Sequence, residues 1–366
     1  MRILYYSPHP HLNLMSPAGY GTHMREMISA FEREGHEVFP LILGGTTRRE
    51  GADAPPAPSP YTRFKRFVPP YLWESMRDLR LRRFDRHAGE LLAREIRRFR
   101  PDVVYERANY LQDAGVRIAR KAGVFHVLEV NAPYVEEKQL LRSGSALLGR
   151  ARRIEGRQLR GSDLLAVVSS VLRDFFVERH GIPPEKFIVT PNAIHPPHLA
   201  VDPAQVERLR EKYGLAERKL VGFVGSIFRW HGVDLLIRAF DAIAPRYPEW
   251  SLLIVGDGEI LGELTDLAAT LAARDRIHFT GSVPHREVFA HIALMDITVA
   301  ANSHWYGSPV KIFEYGAMGR AIIAPDNGPV RDVITPEEDA LLVPPEVDAI
   351  CAALERLIED PELRRR

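Results

Sequence analysis

HWYGSPVKIFEYGAMGRAIIAP, residues 304–325, passes from a turn rich in Gly and Pro straight into a segment with helical spacing and then into a short apolar run. Val310, Ile312, Phe313, Ala317 and Met318 can share one buried face of a helix that starts near Ser308. A helix start gathers free backbone N–H groups and the positive end of the helix dipole, so Tyr306, Gly307, Ser308 and Val310 border a place suited to phosphate. Lys311 adds a full charge in the first turn. Glu314, one turn on, can accept hydrogen bonds from sugar hydroxyls. Gly319 ends the helix and Ala321 to Pro325 reads as a buried strand, which completes a helix-to-parallel-strand unit. The same residues also suit an ordinary helix whose Lys311 and Glu314 are solvated charges, and the pattern alone leaves both readings open.

Outward from that stretch the chain repeats one plan. Residues 1–7 form an apolar run followed by a Pro/Gly-rich loop, a helix pattern through Met24, Met27, Ile28 and Phe31, and a second run at Val38 to Leu43. This is the opening of a doubly wound domain. Gly19 and Gly21 in the loop permit close backbone approach to a ligand, although a G-x-G pair alone is a weak signal. Short strands are predicted at 102–105, 125–130, 164–169 and 187–190. Glu106 and Asn131 stand at or just past the carboxyl ends of the first two, where open α/β sheets bind ligands, and are expected to face one crevice. A second series begins with the strand 220–225 and the loop Ser226 to Gly232, then the helix 233–244 and strands at 252–255, 277–279 and 297–300.

With 366 residues there is room for two domains. Their expected bounds are 1–195, a linker at 196–217, and 218–366. The formal net charge of +1 gives no global argument for a nucleic-acid partner. A single cysteine, Cys351, falls in an amphipathic helix pattern and excludes a disulfide framework, so a reducing cytoplasm is the default location. The N-terminus enters a strand at once, without a signal-peptide layout. Between residues 61 and 100, twelve Lys/Arg face five Asp/Glu and interleave with Phe64, Phe67, Tyr71, Leu72 and Trp73. That region reads as a solvated helix over 79–99, or as a peripheral contact with the anionic inner face of a membrane. Residues 46–60 read as a surface loop.

The run SPVKIFEYGAMGRAIIA resembles the donor-site signature of the retaining glycosyltransferases of family 4, in the branch that reads S-P-x-K-x-x-E-Y-x-A. VYERAN at 104–109, LEVNAP at 128–133 and the W-H-G run at 230–232 are similar to the same branch in the same order. The resemblance implies a GT-B fold, with two doubly wound Rossmann-like domains facing an interdomain cleft, and a nucleoside-diphosphate sugar as donor substrate, with no cofactor. It implies that Glu314 binds the donor's ribose, that Val283 in the turn 281–285 lies at the base, and that Asn131 contacts donor or acceptor. Tyr306 stands where the family usually has a second glutamate, and Ser226 and His231 stand where it has an arginine and a lysine. Arg229 is the expected substitute for the missing charge, acting with Lys311 on the leaving diphosphate while Glu106 and Asn131 serve the reacting end. No D-x-D triplet or zinc-type spacing occurs, so no metal is expected. The chain stops where family members continue into a helix that crosses back under the first domain, so that helix is expected to be absent. The expected reaction is glycosyl transfer to a hydroxyl acceptor with retention. The alternative is a non-catalytic nucleotide-sugar-binding subunit, and the absence of G-x-G-x-x-G disfavours a dinucleotide oxidoreductase.

Overall fold

The computed structural model describes residues 1–16, 19–46, 68–141, 144–194 and 200–366. Pro17 and Ala18, most of the loop read at 46–60, the aromatic stretch at 61–67 and part of the linker lie outside them. The chain divides into two units, residues 1–168 with 172–190, and residues 169–171 with 191–366. Each is built on a six-stranded, all-parallel sheet.

In the first unit the strands are β1 (Arg2–Ser7), β2 (Glu37–Ile42), β3 (Val103–Arg107), β4 (Phe125–Val130), β5 (Leu164–Val167) and β6 (Phe187–Val189), in the order β2-β1-β3-β4-β5-β6. Successive residues of β1 feed opposite faces. Ile3 and Tyr5 join Met24 and Ile28 of the helix Gly19–Arg33, while Leu4 and Tyr6 join Leu92 and Ile96 of the helix Pro70–Phe99. Strands buried on both faces read as unbroken apolar runs, which is why their positions were visible in the sequence.

The helix Pro70–Phe99 differs from its sequence reading in two ways. It begins nine residues before Leu79, with proline at the start of its first turn, where a missing N–H costs nothing. Its buried stripe also carries Glu74, Asp78, Asp85 and Glu95. Those acids are tolerated because neighbours supply cations: Lys138 Nζ donates to Glu74 and Asp78, and Arg82 bridges Asp85 and Asp113.

The second unit holds β7 (Lys219–Val224), β8 (Trp250–Val255), β9 (Ile277–Phe279), β10 (Ile297–Val299), β11 (Ala321–Pro325) and β12 (Leu341–Val343), in the order β12-β11-β10-β7-β8-β9. Strand order reverses between β7 and β10, and doubly wound sheets bind ligands beyond the strand ends at such a point. The segment 196–217, read as a linker, contains the helix Pro203–Lys212, and its Leu209, with Leu215, packs into the core of this unit. Strand β12 had no counterpart in the sequence reading.

The helix Val310–Ala317 forms where expected, and Gly319 follows it at φ +61. Its buried face is different. Ile312 and Tyr315 point inward, whereas Val310 is 42% exposed and Ala317 faces solvent. Tyr315 takes the inner position because its hydroxyl accepts a 2.9 Å hydrogen bond from the backbone N–H of Val224, at the end of β7. Replacing Tyr315 by Phe would keep the packing and orphan that N–H. Urea denaturation should show a loss of about 1–3 kcal/mol, and an unchanged midpoint would mean that the hydroxyl does not hold helix to strand.

Candidate donor site

Beyond the ends of β7 and β10 lies a cavity of about 310 Å³, lined from three segments. Val224, Gly225 and His231 come from the end of β7 and its loop. Asn302, Ser303 and His304 come from the loop after β10, and Gly307 to Lys311 with Glu314 from the helix start. The helix has no side-chain cap; the Ile312 N–H turns back to the Pro309 carbonyl at 3.2 Å, and the other first-turn N–H groups are left for another partner.

Lys311 is the centre of the cavity's electrostatics. Its Nζ is inaccessible to solvent and makes no hydrogen bond with any described residue. It stands 4.2 Å from the centroid of the Phe223 ring, which offers partial compensation through the ring's negative face. Burial drives its pKa down to about 7, against a smaller upward pull from Glu314. Burial likewise raises Glu314, whose carboxyl makes no ion pair or side-chain hydrogen bond with the described residues. Gly225 adopts φ +145, and a Cβ there would sit 3.3 Å from the Lys311 ammonium. An ammonium held this way lacks an anion.

His231 spends its Nδ1–H on the Ser226 carbonyl at 2.6 Å. Burial, and then Lys311, lower its pKa to about 4, so at neutral pH it offers only a lone pair on Nε2. Ser308 is buried. Its Oγ accepts from the Asn192 N–H at 3.0 Å and its carbonyl from Asn192 Nδ2 at 2.6 Å. The PN turn at 191–192 therefore pins the start of the donor-site helix. Tyr306 is buried in a stack with His304, and the Ser226 side chain faces solvent.

Arg229 is placed elsewhere. Its guanidinium is 73% exposed, donates to both carboxylate oxygens of Glu263 at 2.9 and 3.1 Å, and does not line the cavity. Val283 packs against the apolar core of the second unit and is also absent from the lining.

In the first unit Glu106 and Asn131 do not face one crevice as expected. Side chains alternate along a strand, so Glu106 projects to the face opposite Arg107. There it is fully buried and accepts from His126 Nε2 at 2.8 Å. On the other face Glu129 Oε1 accepts from Arg107 at 2.6 Å, from His23 Nε2 at 2.9 Å and from Asn131 Nδ2. Burial alone would raise the Glu129 pKa, but Arg107 and His23 together hold it at about 2. His23 was missed, and Arg107 and Glu129, which stand at the same two strand ends, were not taken as site residues, although counting alternate residues on two parallel strands finds Arg107 opposite Glu129. Gly19 and Gly21 begin a helix, and the close approach at Gly21 is by the carbonyl of Ser16.

Two family descriptions cover most of the sequence: residues 18–193 match the Glycosyl transferase 4-like domain, and residues 205–366 match the Glycosyl transferases group 1. Each half of the chain thus matches a glycosyl transferase domain, and the fold is GT-B. Among its relatives is a GDP-mannose-dependent alpha-(1-6)-phosphatidylinositol monomannoside mannosyltransferase of Mycolicibacterium smegmatis. It is 29% identical over 225 residues, 60% of this chain and 59% of that protein. An alpha-D-kanosaminyltransferase of Streptomyces kanamyceticus is 33% identical over 164 residues, 44% of this chain and 42% of that one. The chain thus spans about half the length of these curated relatives. Anabaena Alr3699/HepE, solved in complex with UDP, shares the fold at a TM-score of 0.70 and 15% identity, over all of this GT-B chain and 92% of that one.

The depressed pKa of Lys311 has a thermodynamic sign. The unfolded chain binds this proton up to the usual 10.5 and the folded chain only to about 7, so the folded state carries a penalty below pH 7 that is relieved as pH rises towards 10.5. Lys311→Met should therefore be more stable than the parent at pH 6, by about 2–4 kcal/mol. The gap should close at high pH in paired urea titrations, and a gap independent of pH would contradict the burial of a charged ammonium.

Proposed function

We propose that the protein transfers a sugar from a nucleoside diphosphate to an acceptor hydroxyl, with retention at the anomeric carbon and without a metal ion. The observation that carries this reading is the Lys311 ammonium, buried without a counter-charge beside an uncapped helix start. An anion the size of a diphosphate satisfies both at once. As the bond from the anomeric carbon to the diphosphate oxygen lengthens, negative charge grows on the leaving group, and donors fixed there beforehand stabilise the transition state. Glu314 takes the ribose hydroxyls. It is the one carboxylate among the described lining residues. A front-face displacement fits this set: the acceptor oxygen bonds to the anomeric carbon as the diphosphate leaves, and the acceptor proton passes to the departing oxygen.

The relatives' names point to more than one donor, so thermal-shift screening should include UDP, GDP, ADP and TDP sugars. One base series should raise the melting point in proportion to occupancy. Lys311→Met should weaken the free diphosphate at least about tenfold, the loss of one charge-assisted hydrogen bond. Product NMR should show the donor's anomeric configuration, and EDTA should leave turnover unchanged. Binding without turnover in the presence of varied acceptors would favour the non-catalytic subunit, a reading supported by the engagement of Arg229 with Glu263 outside the cavity.

A membrane contact belongs to the same proposal. The acids of the helix Pro70–Phe99 face inward, all but Glu90, while Arg77, Arg80, Arg83, Arg86, Arg94, Arg97 and Arg98 face outward. Tyr71, Leu72, Met76 and Leu79 are each at least 40% exposed at its first turns. Among the described residues no helix is long and apolar enough to cross a membrane. Arginines beside exposed apolar groups match an anionic lipid surface, at about 1 kcal/mol per cation. Co-sedimentation with phosphatidylglycerol vesicles should exceed that with phosphatidylcholine and fall in the double variant Arg83→Glu/Arg86→Glu. Equal partition onto both lipids would refute the contact.

A further inference from the structure

Across the cavity wall formed by the two strand-end loops runs a column of stacked rings. Phe228 lies on Trp230 at 4.5 Å and 10°, Trp230 on His304 at 4.8 Å and 30°, and His304 on Tyr306 at 5.1 Å and 15°. The ring of His304 is therefore held between Trp230 and Tyr306. With both faces stacked, its orientation is set by packing, and only its edge remains available. That edge carries the two ring nitrogens, and no described residue hydrogen-bonds either of them. His304 also lines the same cavity as Lys311.

We propose that His304 reads the sugar of the donor, its fixed ring edge hydrogen-bonding a sugar hydroxyl. This deepens the donor-cavity reading and rests on it. The chemistry follows from what the edge can offer. Burial lowers the imidazole's pKa, so the neutral ring presents one N–H donor and one lone pair. The hydroxyls of a polyol, each able to donate or accept, can meet either nitrogen. A phosphate oxygen, which only accepts, would leave the lone pair opposed. The cavity thus divides its chemistry: the helix wall supplies an ammonium and backbone N–H groups for an anion, and the loop wall supplies His304, with the Nε2 lone pair of His231 beside it, for a polyol. A ring pinned by stacking pays little ordering cost on binding, so a change of hydroxyl configuration is felt as a lost hydrogen bond rather than absorbed by a side-chain turn.

His304→Phe separates the polar edge from the stack, since it keeps a ring between Trp230 and Tyr306 and removes both nitrogens. Calorimetry would compare parent and variant on UDP against UDP-glucose and on GDP against GDP-mannose. For whichever base binds, the variant is expected to hold the free diphosphate within about twofold of the parent and to lose about five- to tenfold in affinity for the sugar conjugate. His304→Gln, which restores a donor and an acceptor at that position, should recover part of the loss and guards against a variant that fails to fold. Equal effects on diphosphate and conjugate, or no effect on either, would overturn the assignment and leave the donor cavity standing. Failure of the parent to bind any of these four ligands, or any ADP or TDP counterpart, would overturn the donor cavity and His304's role together.

Discussion

An ammonium group without a counter-ion is the constraint around which the second unit is arranged. Lys311 can remain buried only because several neighbours limit the cost of desolvation: the face of Phe223 below it, the absence of a side chain at Gly225, and Glu314 one turn along. The helix that carries Lys311 is in turn fixed at two points. Tyr315 hydrogen-bonds the end of β7 from inside, and Asn192 grips Ser308 at the helix start. Stability is given up at one residue and preserved by its surroundings, as expected where a site is organised before its ligand arrives.

The position of this site follows from topology. In the second sheet the chain crosses from one side of β7 to the other, so the loops after β7 and β10 diverge and leave a gap at their strand ends. A Gly-bearing turn and an aromatic loop border that gap, and the ring column from Phe228 to Tyr306 ties one to the other. The first unit uses its own switch point, between β1 and β3, differently. Charges there neutralise one another around Glu129, which three donors satisfy on one oxygen. One unit presents an unmet charge and the other a balanced cluster. This contrast is consistent with the diphosphate being taken by the second unit.

Much of this was legible in the chain. Parallel strands covered on both faces are continuous apolar runs, so eleven of the twelve strands and the doubly wound plan could be read by eye, with only β12 and the inner-face residues of some helices escaping. The helix start at Ser308 to Lys311 was equally plain, since Gly, Pro and a following helical period define it locally.

What the tertiary structure decided is which charges meet. Arg229 is two residues from His231, yet a 3₁₀ turn at 229–231 sends the imidazole to the cavity and the guanidinium out to Glu263. Glu106 and Arg107 are adjacent, and strand alternation puts them on opposite faces of the sheet. Sequence determined the periodic features, because burial of apolar area depends on spacing along one element. Pairing between charged side chains depends on the spatial register of separate elements, and no single stretch of sequence contains it.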